Sequence, residues 1–233
     1  MSEYILQCNE LTKKFGASAA LNNINLNIGK GKLIGLLGPN GSGKTTLIKI
    51  ANGLLTPTSG NILIKNTIPG YETKKIVSYL PDKNCLIDSM TVKELVEMFT
   101  DFYDDFQPQK AYAMIENLHI DPNQKLKTLS KGNKEKVQLI LVMSRKAELY
   151  LLDEPIGGVD PATRDYILDS IIKNYSEDAT VIISTHLIAD IEKVLDEVIF
   201  IKSGSIILHE DVDSLREREG KSVDEIFREV FKC

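Results

Sequence analysis

The chain has 233 residues, of which 42% are hydrophobic and 26% charged, which is the size and composition of one globular domain. A domain of this size buries enough surface to fold without disulfides or structural metals. Its 28 basic and 33 acidic residues give a net charge of −5, which argues against nucleic-acid binding by bulk electrostatics. We find no apolar run near the roughly 18–20 residues of a bilayer-spanning helix and no secretory signal pattern. We therefore expect a cytoplasmic protein that binds no nucleic acid.

The three cysteines, Cys8, Cys85 and Cys233, are widely spaced and form no C-x-x-C pair. This spacing predicts neither a disulfide framework nor a zinc site. Free thiols are ordinary in a reducing compartment, which agrees with the expected cytoplasmic location.

Short apolar runs predict nine β-strands. In chain order they are Tyr4–Cys8, Asn23–Ile28, Leu33–Leu37, Asn61–Lys65, Ile76–Leu80, Leu149–Asp153, Thr180–Ser184, Val198–Ile201 and Ser205–His209. The second run alternates, with Ile24, Leu26 and Ile28 on one side and asparagines on the other, as in a half-buried strand. Four runs, those that begin at positions 33, 149, 180 and 198, are almost continuously apolar, which is typical of central strands in a parallel sheet.

Seven helices are predicted between and after these strands. They are Gly43–Asn52, Thr91–Tyr103, Pro108–Leu118, Lys131–Lys146, Pro161–Lys173, Val212–Arg218 and Val223–Phe231. The second opens on a capping box formed by Thr91 and Glu94. Asp160 is an N-cap that precedes proline at the first helical position.

The alternation of strands and helices predicts the α/β class with a mainly parallel central sheet. We interpret the whole chain, residues 1–233, as a single domain. Residues 86–146 contain no convincing strand and are interpreted as a helical subdomain inserted in the α/β core. The tail, residues 211–233, is predicted to be helical, and we expect it either to cover an edge or to be regulatory.

A glycine-rich loop carries the strongest chemical signal. The segment Gly38–Thr45 fits the pattern G-x-x-x-x-G-K-[ST], after a buried strand and before a helix, which is the context that this motif requires. Its backbone amides and the helix N-terminus are suited to a polyphosphate. We expect Lys44 to reach the β- and γ-phosphates and Thr45 to bind Mg²⁺. The alternative is a plain turn between a strand and a helix.

Two acidic residues follow another buried strand. Asp153 and Glu154 end the run that begins at Leu149, and the carboxyl ends of strands line the ligand crevice of an open α/β sheet. Asp153 is predicted to hold Mg²⁺, and Glu154 to act as general base on the attacking water. The alternative is a strand that simply ends in solvated acids.

Two further segments are less specific when taken alone. His186 follows the apolar strand that ends at Ser184, and a single histidine there is more often structural than catalytic. Ser130 is predicted to cap the helix that begins at Lys131, which by itself indicates only one more helix start with affinity for anions.

Taken together and in this order, the segments resemble the nucleotide-binding domain of an ABC (ATP-binding cassette) transporter over about residues 3–210. Gly38–Thr45 resembles the Walker A loop, Leu129–Asn133 the LSGGQ signature, Leu149–Glu154 Walker B, Gly158–Asp160 the D-loop, and Ser184–His186 the switch histidine. Phe15 lies where the family has an aromatic residue on the adenine, and Tyr79–Asp82 where it has the Q-loop. The resemblance implies a P-loop NTPase core with an N-terminal antiparallel β subdomain and a helical insert.

The resemblance also implies an ATPase that uses ATP and Mg²⁺, with a specific set of site residues. The implied nucleotide contacts are Phe15, Gly38, Pro39, Asn40, Gly41, Ser42, Gly43, Lys44, Thr45, Thr46, Ser130, Gly132 and Asp160. The implied metal contacts are Thr45, Asp82 and Asp153, and the implied catalytic residues are Glu154, His186 and Lys44. Two copies are expected to pack head to tail, so that Ser130 and the Gly132 amide contact the γ-phosphate bound by the other copy.

Three positions depart from the usual family pattern. Asp82 replaces a glutamine, and an aspartate is shorter, charged and an acceptor only. Lys131 replaces the first glycine of the signature, where a positive φ would strain a lysine, and Asn133 replaces its glutamine. The variants Y-L-P-D and L-S-K-G-x-K-E-K resemble a branch of bacterial exporter ATPases that includes bacitracin- and YtrB-like systems.

A membrane partner is expected to dock on residues 82–106, which are rich in bulky side chains. Helical spacing predicts Leu95, Met98, Phe99 and Phe102 to be packed in the core. An exposed docking surface is expected among Leu86, Ile87, Met90, Tyr103 and Phe106.

We therefore predict the ATPase subunit of an ABC exporter, peripheral on the inner face of the cell membrane. It would act with separately encoded integral membrane permease subunits and with a second ATPase subunit, identical or not. The alternatives are an importer subunit, a non-transport ABC ATPase and another P-loop NTPase. A single cassette without long insertions argues against the non-transport class.

Overall fold

The computed structural model describes residues 4–176 and 178–232, and the expectation about Cys233 falls outside them. The strands are β1 (Tyr4–Phe15), β2 (Ser18–Gly29), β3 (Leu33–Leu37), β4 (Ser59–Ile64), β5 (Val77–Leu80), β6 (Leu149–Asp153), β7 (Thr180–Thr185), β8 (Glu197–Lys202) and β9 (Ser205–Asp211). The α-helices are α1 (Lys44–Ala51), α2 (Tyr71–Lys74), α3 (Val92–Phe102), α4 (Pro108–Asn117), α5 (Lys131–Met143), α6 (Pro161–Asn174), α7 (Ile188–Ile191), α8 (Val212–Glu219) and α9 (Val223–Phe231). A 3₁₀ turn spans Leu126–Thr128.

The central sheet has six strands in the order β5-β6-β7-β3-β8-β9. Neighbours pair in parallel except β9, which runs antiparallel to β8 at the edge. Every residue of β3, β6 and β7 is buried, because helices cover both faces of the sheet. The predicted α/β class with a mainly parallel sheet is confirmed.

A second, three-stranded sheet is antiparallel and has the order β2-β1-β4. The predicted alternation in β2 is confirmed, since Ile24, Leu26 and Ile28 are buried and the asparagines between them are exposed. Strands β1 and β2 are longer than predicted and form a hairpin that turns between Phe15 and Ser18. Its outer half is largely solvent-exposed, so it lacks the apolar pattern on which the prediction depended.

Two apolar layers enclose the central sheet. On one face, α1 lies between the two sheets, with Leu47 and Ile48 packed against side chains of both. On the other face, α5 and α6 pack with the helices of the tail, which contribute Val212, Leu215 and Phe227 to the core. The tail therefore covers a face of the sheet. Within the described residues, no helix is long and apolar enough to cross a membrane.

Residues 86–146 hold only helices besides two isolated β-bridges, and they have an apolar cluster of their own. Helix α5 ends at Met143, three residues before the predicted end. Residues 144–146 leave the helix because they pair with the segment after α3: Gln107 N–H donates to Ser144 O, and Lys146 N–H to Asp105 O.

The prediction that Phe102 packs in the core is wrong. Phe102 is 77% exposed, because it lies at the last residue of α3, beyond the packed face. Among the five candidates for an exposed surface, Ile87 is 51% exposed, whereas Phe106 is 7% exposed and packs against Phe99.

The tail helix α9 is anchored by an aromatic cluster. Phe227 meets Phe200 edge to face at 5.5 Å and Phe231 at 4.2 Å between ring centroids.

We predict that Phe227→Ala lowers the free energy of unfolding by about 3 kcal/mol, since it removes a buried ring and leaves a cavity. Phe102→Ala is the matched control, with a change within about 0.5 kcal/mol. Urea unfolding monitored by circular dichroism measures both, and equal effects would contradict the assignment of the tail to the core.

Candidate active site

The candidate site lies where three neighbouring strands, β3, β7 and β6, reach their carboxyl ends. Leu37 at the end of β3 pairs with Thr185 of β7, and Ser184 pairs with Asp153 at the end of β6. Parallel strands place these ends at one edge of the sheet, where α/β proteins bind ligands. The sheet therefore brings the glycine-rich loop, the paired acids and the histidine segment together.

The glycine-rich loop requires glycine at two positions for steric reasons. A Cβ on Gly38 would lie 2.4 Å from Ile201 O, and one on Gly43 would lie 2.5 Å from Ala20 O. Gly43 also has a φ of 115°, which side chains rarely tolerate. Ser42 is buried, and its hydroxyl has no hydrogen-bond partner among the described residues. Helix α1 begins directly after the loop, so its free amides face any anion bound there.

The remaining residues predicted in this loop and helix start are placed as follows. Pro39 is half-buried, Asn40 and Gly41 are exposed, and Thr45 and Thr46 are half-buried in the first turn of α1. The loop thus has a buried base at residues 42–44 and a tip at Asn40 and Gly41 that is open to solvent.

Lys44 folds back over this loop. Its Nζ donates to Gly38 O at 2.7 Å and to Pro39 O at 3.3 Å, and it forms an ion pair with Glu154 Oε1 at 3.4 Å. The side chain is only 5% exposed. The ammonium therefore has carbonyl and carboxylate oxygens as partners, which are the groups that phosphate oxygens would replace.

Asp153 is fully buried and lies at the centre of the site. Its Oδ1 accepts hydrogen bonds from Thr45 Oγ1 at 3.0 Å and from Ser184 Oγ at 2.6 Å. Its Oδ2 has no partner among the described residues. Burial raises the pKa of this carboxyl, and the two hydrogen bonds oppose that shift. An unpaired oxygen beside a hydroxyl is a donor set that fits Mg²⁺.

Glu154 is held in a strained conformation by its neighbours. Its φ is +50°, which is uncommon for a residue with a side chain, and its N–H donates to Ser184 O at 3.0 Å. Its carboxylate lies between Lys44 and His186, whose Nδ1 is 3.0 Å from Oε2. In this conformation the carboxylate lies toward the glycine-rich loop and contacts the Lys44 ammonium and the His186 ring.

Asp82 is exposed and follows β5 on the far side of β6. Burial raises the pKa of the Tyr79 hydroxyl, and the carboxylates of Asp153 and Asp82 raise it further. The charge of Asp82 therefore acts on a buried group of the site. The Tyr79 hydroxyl is itself buried and has no partner in the described ranges. Asp82, Tyr79 and Asp153 thus lie on one side of the site, and two of the three are carboxylic acids.

Phe15 lies at the tip of the β1–β2 hairpin and is 52% exposed. The Nζ of Lys13 lies 5.1 Å from its ring centroid, so one face of the ring is occupied by a cation. The rest of this ring is available for a flat ligand.

The predicted signature residues form a separate surface. Ser130 caps α5 by accepting from Asn133 N–H at 3.3 Å, and Gly132 lies beside Thr163. Asp160 caps α6, and bonds from Thr163 lower the pKa of its carboxyl. Within residues 4–176 and 178–232, no hydrogen bond joins Ser130 or Gly132 to the glycine-rich loop. One chain therefore does not bring the two halves of the implied site together.

Lys131 is not strained. It is the first residue of α5 and has no positive φ, so a side chain is accommodated there. Its Nζ donates to Gly158 O at 3.4 Å and pairs with Glu135 Oε1 at 3.7 Å. The departure at this position therefore links the signature helix to the D-loop segment.

Sequence reasoning missed the role of Ser184. Its hydroxyl supports Asp153, and its backbone carbonyl accepts from Glu154, so it organises both acids. A serine in a fully buried strand was the available signal, because a buried hydroxyl needs a partner.

The chain matches a known family. Residues 21–157 match the sequence model of the ABC transporter family. The chain belongs to this family and is an ATP-binding, ATP-hydrolysing subunit of an ABC transporter.

Two relatives cover most of both chains. The ABC transporter ATP-binding protein YtrB of Bacillus subtilis is 31% identical over 220 residues, which are 91% of this chain and 74% of YtrB. The SkfA peptide export ATP-binding protein SkfE of the same organism is 29% identical over 209 residues, which are 87% of each chain.

Two solved structures are similar in fold. A structure of an ATP-binding subunit of an ABC transporter has a TM-score of 0.87 and 25% identity, and the match covers 97% of this chain and 99% of that one. A dimeric post-hydrolysis structure of the cassette MJ0796, bound to ADP and Pi, has a TM-score of 0.75 and 26% identity, over 88% and 98%.

The ion pair of Lys44 and Glu154 predicts a competition with nucleotide. We expect Glu154→Gln to tighten the binding of a non-hydrolysable ATP analogue about three- to tenfold. In this variant the phosphates do not have to break the ion pair of Lys44 with Glu154, which contributes roughly 1 kcal/mol. Isothermal titration calorimetry measures this affinity. The control is Glu148→Gln, which removes an exposed ion pair with Lys65 at the other end of β6 and should leave affinity unchanged. Equal or weaker binding by Glu154→Gln would show that the pair does not compete.

Proposed function

We propose that this chain drives the export of a substrate through separately encoded membrane subunits, by ATP-dependent dimerisation and ATP hydrolysis. The observation that carries this proposal is the Glu154 carboxylate, held between Lys44 and His186 at the end of a fully buried strand. A carboxylate so placed is suited to accept a proton from water beside a phosphate bound in the glycine-rich loop.

Roles for the site residues follow from their positions. The amides of residues 38–46 bind the phosphates, Lys44 neutralises them, and Phe15 stacks on the adenine. Glu154 accepts the proton of the attacking water as general base. His186 orients the Glu154 carboxylate and lies next to it at the solvent side of the site.

Mg²⁺ fits the residues present. The Thr45 hydroxyl and the unpaired Oδ2 of Asp153 would hold it, and Asp82 adds a carboxylate on the same side of the site. The ion supplies charge neutralisation of the phosphate oxygens when it is bound. The short hydrogen bond from Ser184 orients Asp153 and opposes the rise in the pKa of its carboxyl.

A second copy, or a related subunit, completes the site. Among the residues that the structure describes, no hydrogen bond joins Ser130, Gly132 or Asp160 to the chain's own glycine-rich loop, and Ser130 caps a 13-residue helix. The amides at this helix N-terminus favour an anion, which the nucleotide of the partner supplies in a head-to-tail dimer. The dimeric form of the similar MJ0796 cassette supports this arrangement.

The dimer predicts a gel-filtration result. We expect Glu154→Gln to elute as a dimer with ATP and Mg²⁺ and as a monomer without them, because bound ATP joins the subunits and the variant does not hydrolyse it. Lys44→Ala combined with Glu154→Gln is the control and should stay monomeric. ATP binding by Glu154→Gln without any dimer would contradict the head-to-tail model for a homodimer.

The direction of transport is proposed from the relatives. SkfE is named for peptide export, and this chain shares 29% identity with it over 87% of both chains. We propose export on this basis, with the ATPase at the cytoplasmic face of the membrane.

The docking surface for the membrane subunit is proposed at two neighbouring grooves. One, of about 300 Å³, is lined by Tyr71, Phe102 and Arg145, and another of about 560 Å³ is lined by Cys85 and Phe99. Tyr71 and Phe102 are each 77% exposed, which is unusual for large aromatic side chains. Exposed apolar groups of this kind mark interaction surfaces.

Crosslinking locates this surface. In a background without Cys8, Cys85 and Cys233, we expect Phe102→Cys to crosslink to the membrane subunit that co-purifies with the chain. The matched control is Ile207→Cys, an exposed position on the edge strand β9. Crosslinks from position 207 and none from 102 would place the partner on the opposite side.

A further inference from the structure

A small polar cavity lies between the end of β6, the segment after β5 and helix α5. It has a volume of about 40 Å³, and its polar walls are Asp82, Asn84, Glu135, Gln138 and Glu154. The wall at Gly157 lies against the catalytic carboxylate, since a Cβ there would be 3.8 Å from Glu154 Oε2. The cavity therefore adjoins the proposed general base on the side away from Lys44 and the phosphate loop.

Gln138 is the buried polar group in this wall. It is 5% exposed, and within the described residues its side chain makes no hydrogen bond. Across the same cavity, Glu135 Oε2 is buried and also has no partner in the described ranges. A buried carboxylate oxygen without a partner is costly, and native proteins satisfy such a group with protein or water.

The cavity has the size and polarity that a bound water requires. A water needs about 10–15 Å³ of accessible space and two to four polar partners. Both conditions are met here, because the walls supply carboxylate oxygens as acceptors and the Gln138 amide as donor and acceptor. A water in this place satisfies Gln138 and bridges it to the carboxylates.

We propose that this cavity holds a water shared by Gln138 and Glu154, which makes Gln138 a positioning residue for the general base. The inference rests on the proposed hydrolysis by Glu154 and adds a residue to it. Through the water, the amide adds a contact to the Glu154 carboxylate besides those from Lys44 and His186. Glu154 already has a strained backbone, so its orientation depends on such contacts.

The position of Gln138 also connects the two proposed ATP sites. Ser130 and Gln138 lie on the same rigid helix, eight residues or about 12 Å apart. The N-terminus of α5 meets the partner's nucleotide in the proposed dimer, whereas Gln138 lines the cavity beside the chain's own Glu154. The proposed water therefore places α5 between the two ATP sites.

Steady-state and single-turnover ATPase assays of Gln138→Met test the proposal. The side chain keeps its volume and loses its hydrogen bonds, so we expect kcat to fall at least fivefold while the KM for ATP stays unchanged. Gln138→Glu, which keeps the shape and loses the N–H donor, is the second variant and should also lower kcat. The matched control is Gln109→Met, an exposed position on α4 that should behave as the unmodified protein.

Two further readouts separate this inference from the proposed function. Gln138→Met combined with Glu154→Gln should dimerise with ATP as readily as Glu154→Gln alone, because the amide acts on the base and not on the interface. A crystal structure should show a water within hydrogen-bond distance of Gln138 and Glu154. Unchanged kcat in both Gln138 variants, or an empty cavity, would overturn the inference. Turnover by Glu154→Gln itself would instead overturn the proposed function.

Discussion

The structure of the site depends on one buried charge. Asp153 is fully enclosed at the end of β6, and an isolated carboxylate in such a place is costly unless it is hydrogen-bonded. Thr45 and Ser184 provide those bonds from the two elements that flank it, the first turn of α1 and the end of β7. The carboxylate thereby fixes the relative positions of the glycine-rich loop, the central strand and the histidine segment. Its second oxygen is left for a ligand.

The same constraint accounts for the strain at the next residue. With Asp153 directed toward α1, the chain must turn sharply to bring Glu154 to the loop, and it does so at a φ of +50°. The contacts of Glu154 with Lys44, His186 and the Ser184 backbone offset that cost. The two consecutive acids thus have different surroundings, because Asp153 is fully buried and hydrogen-bonded while Glu154 lies between the Lys44 ammonium and the His186 ring.

Much of the fold and of the site followed from the sequence, since their signals are local. Continuous apolar runs identified the central strands, and the loop motif between a strand and a helix identified the phosphate cradle. The failures concern tertiary contacts. Phe102 is exposed against expectation because α3 ends there, where residues 105–107 pair with residues 144–146. The Ser184 support and the cavity at Gln138 depend on elements that are distant in the sequence.

The contacts of Lys44 join the glycine-rich loop to the acid that follows β6. Its ammonium contacts Glu154 Oε1 and two loop carbonyls, so one buried cation bridges the loop and the end of the strand. Phosphate oxygens carry more charge than a carbonyl and attract an ammonium more strongly. If the proposed nucleotide takes these contacts of Lys44, Glu154 keeps its contact with His186 and loses its ion pair. Under the proposed function, the general base would then be released by the substrate on which it acts.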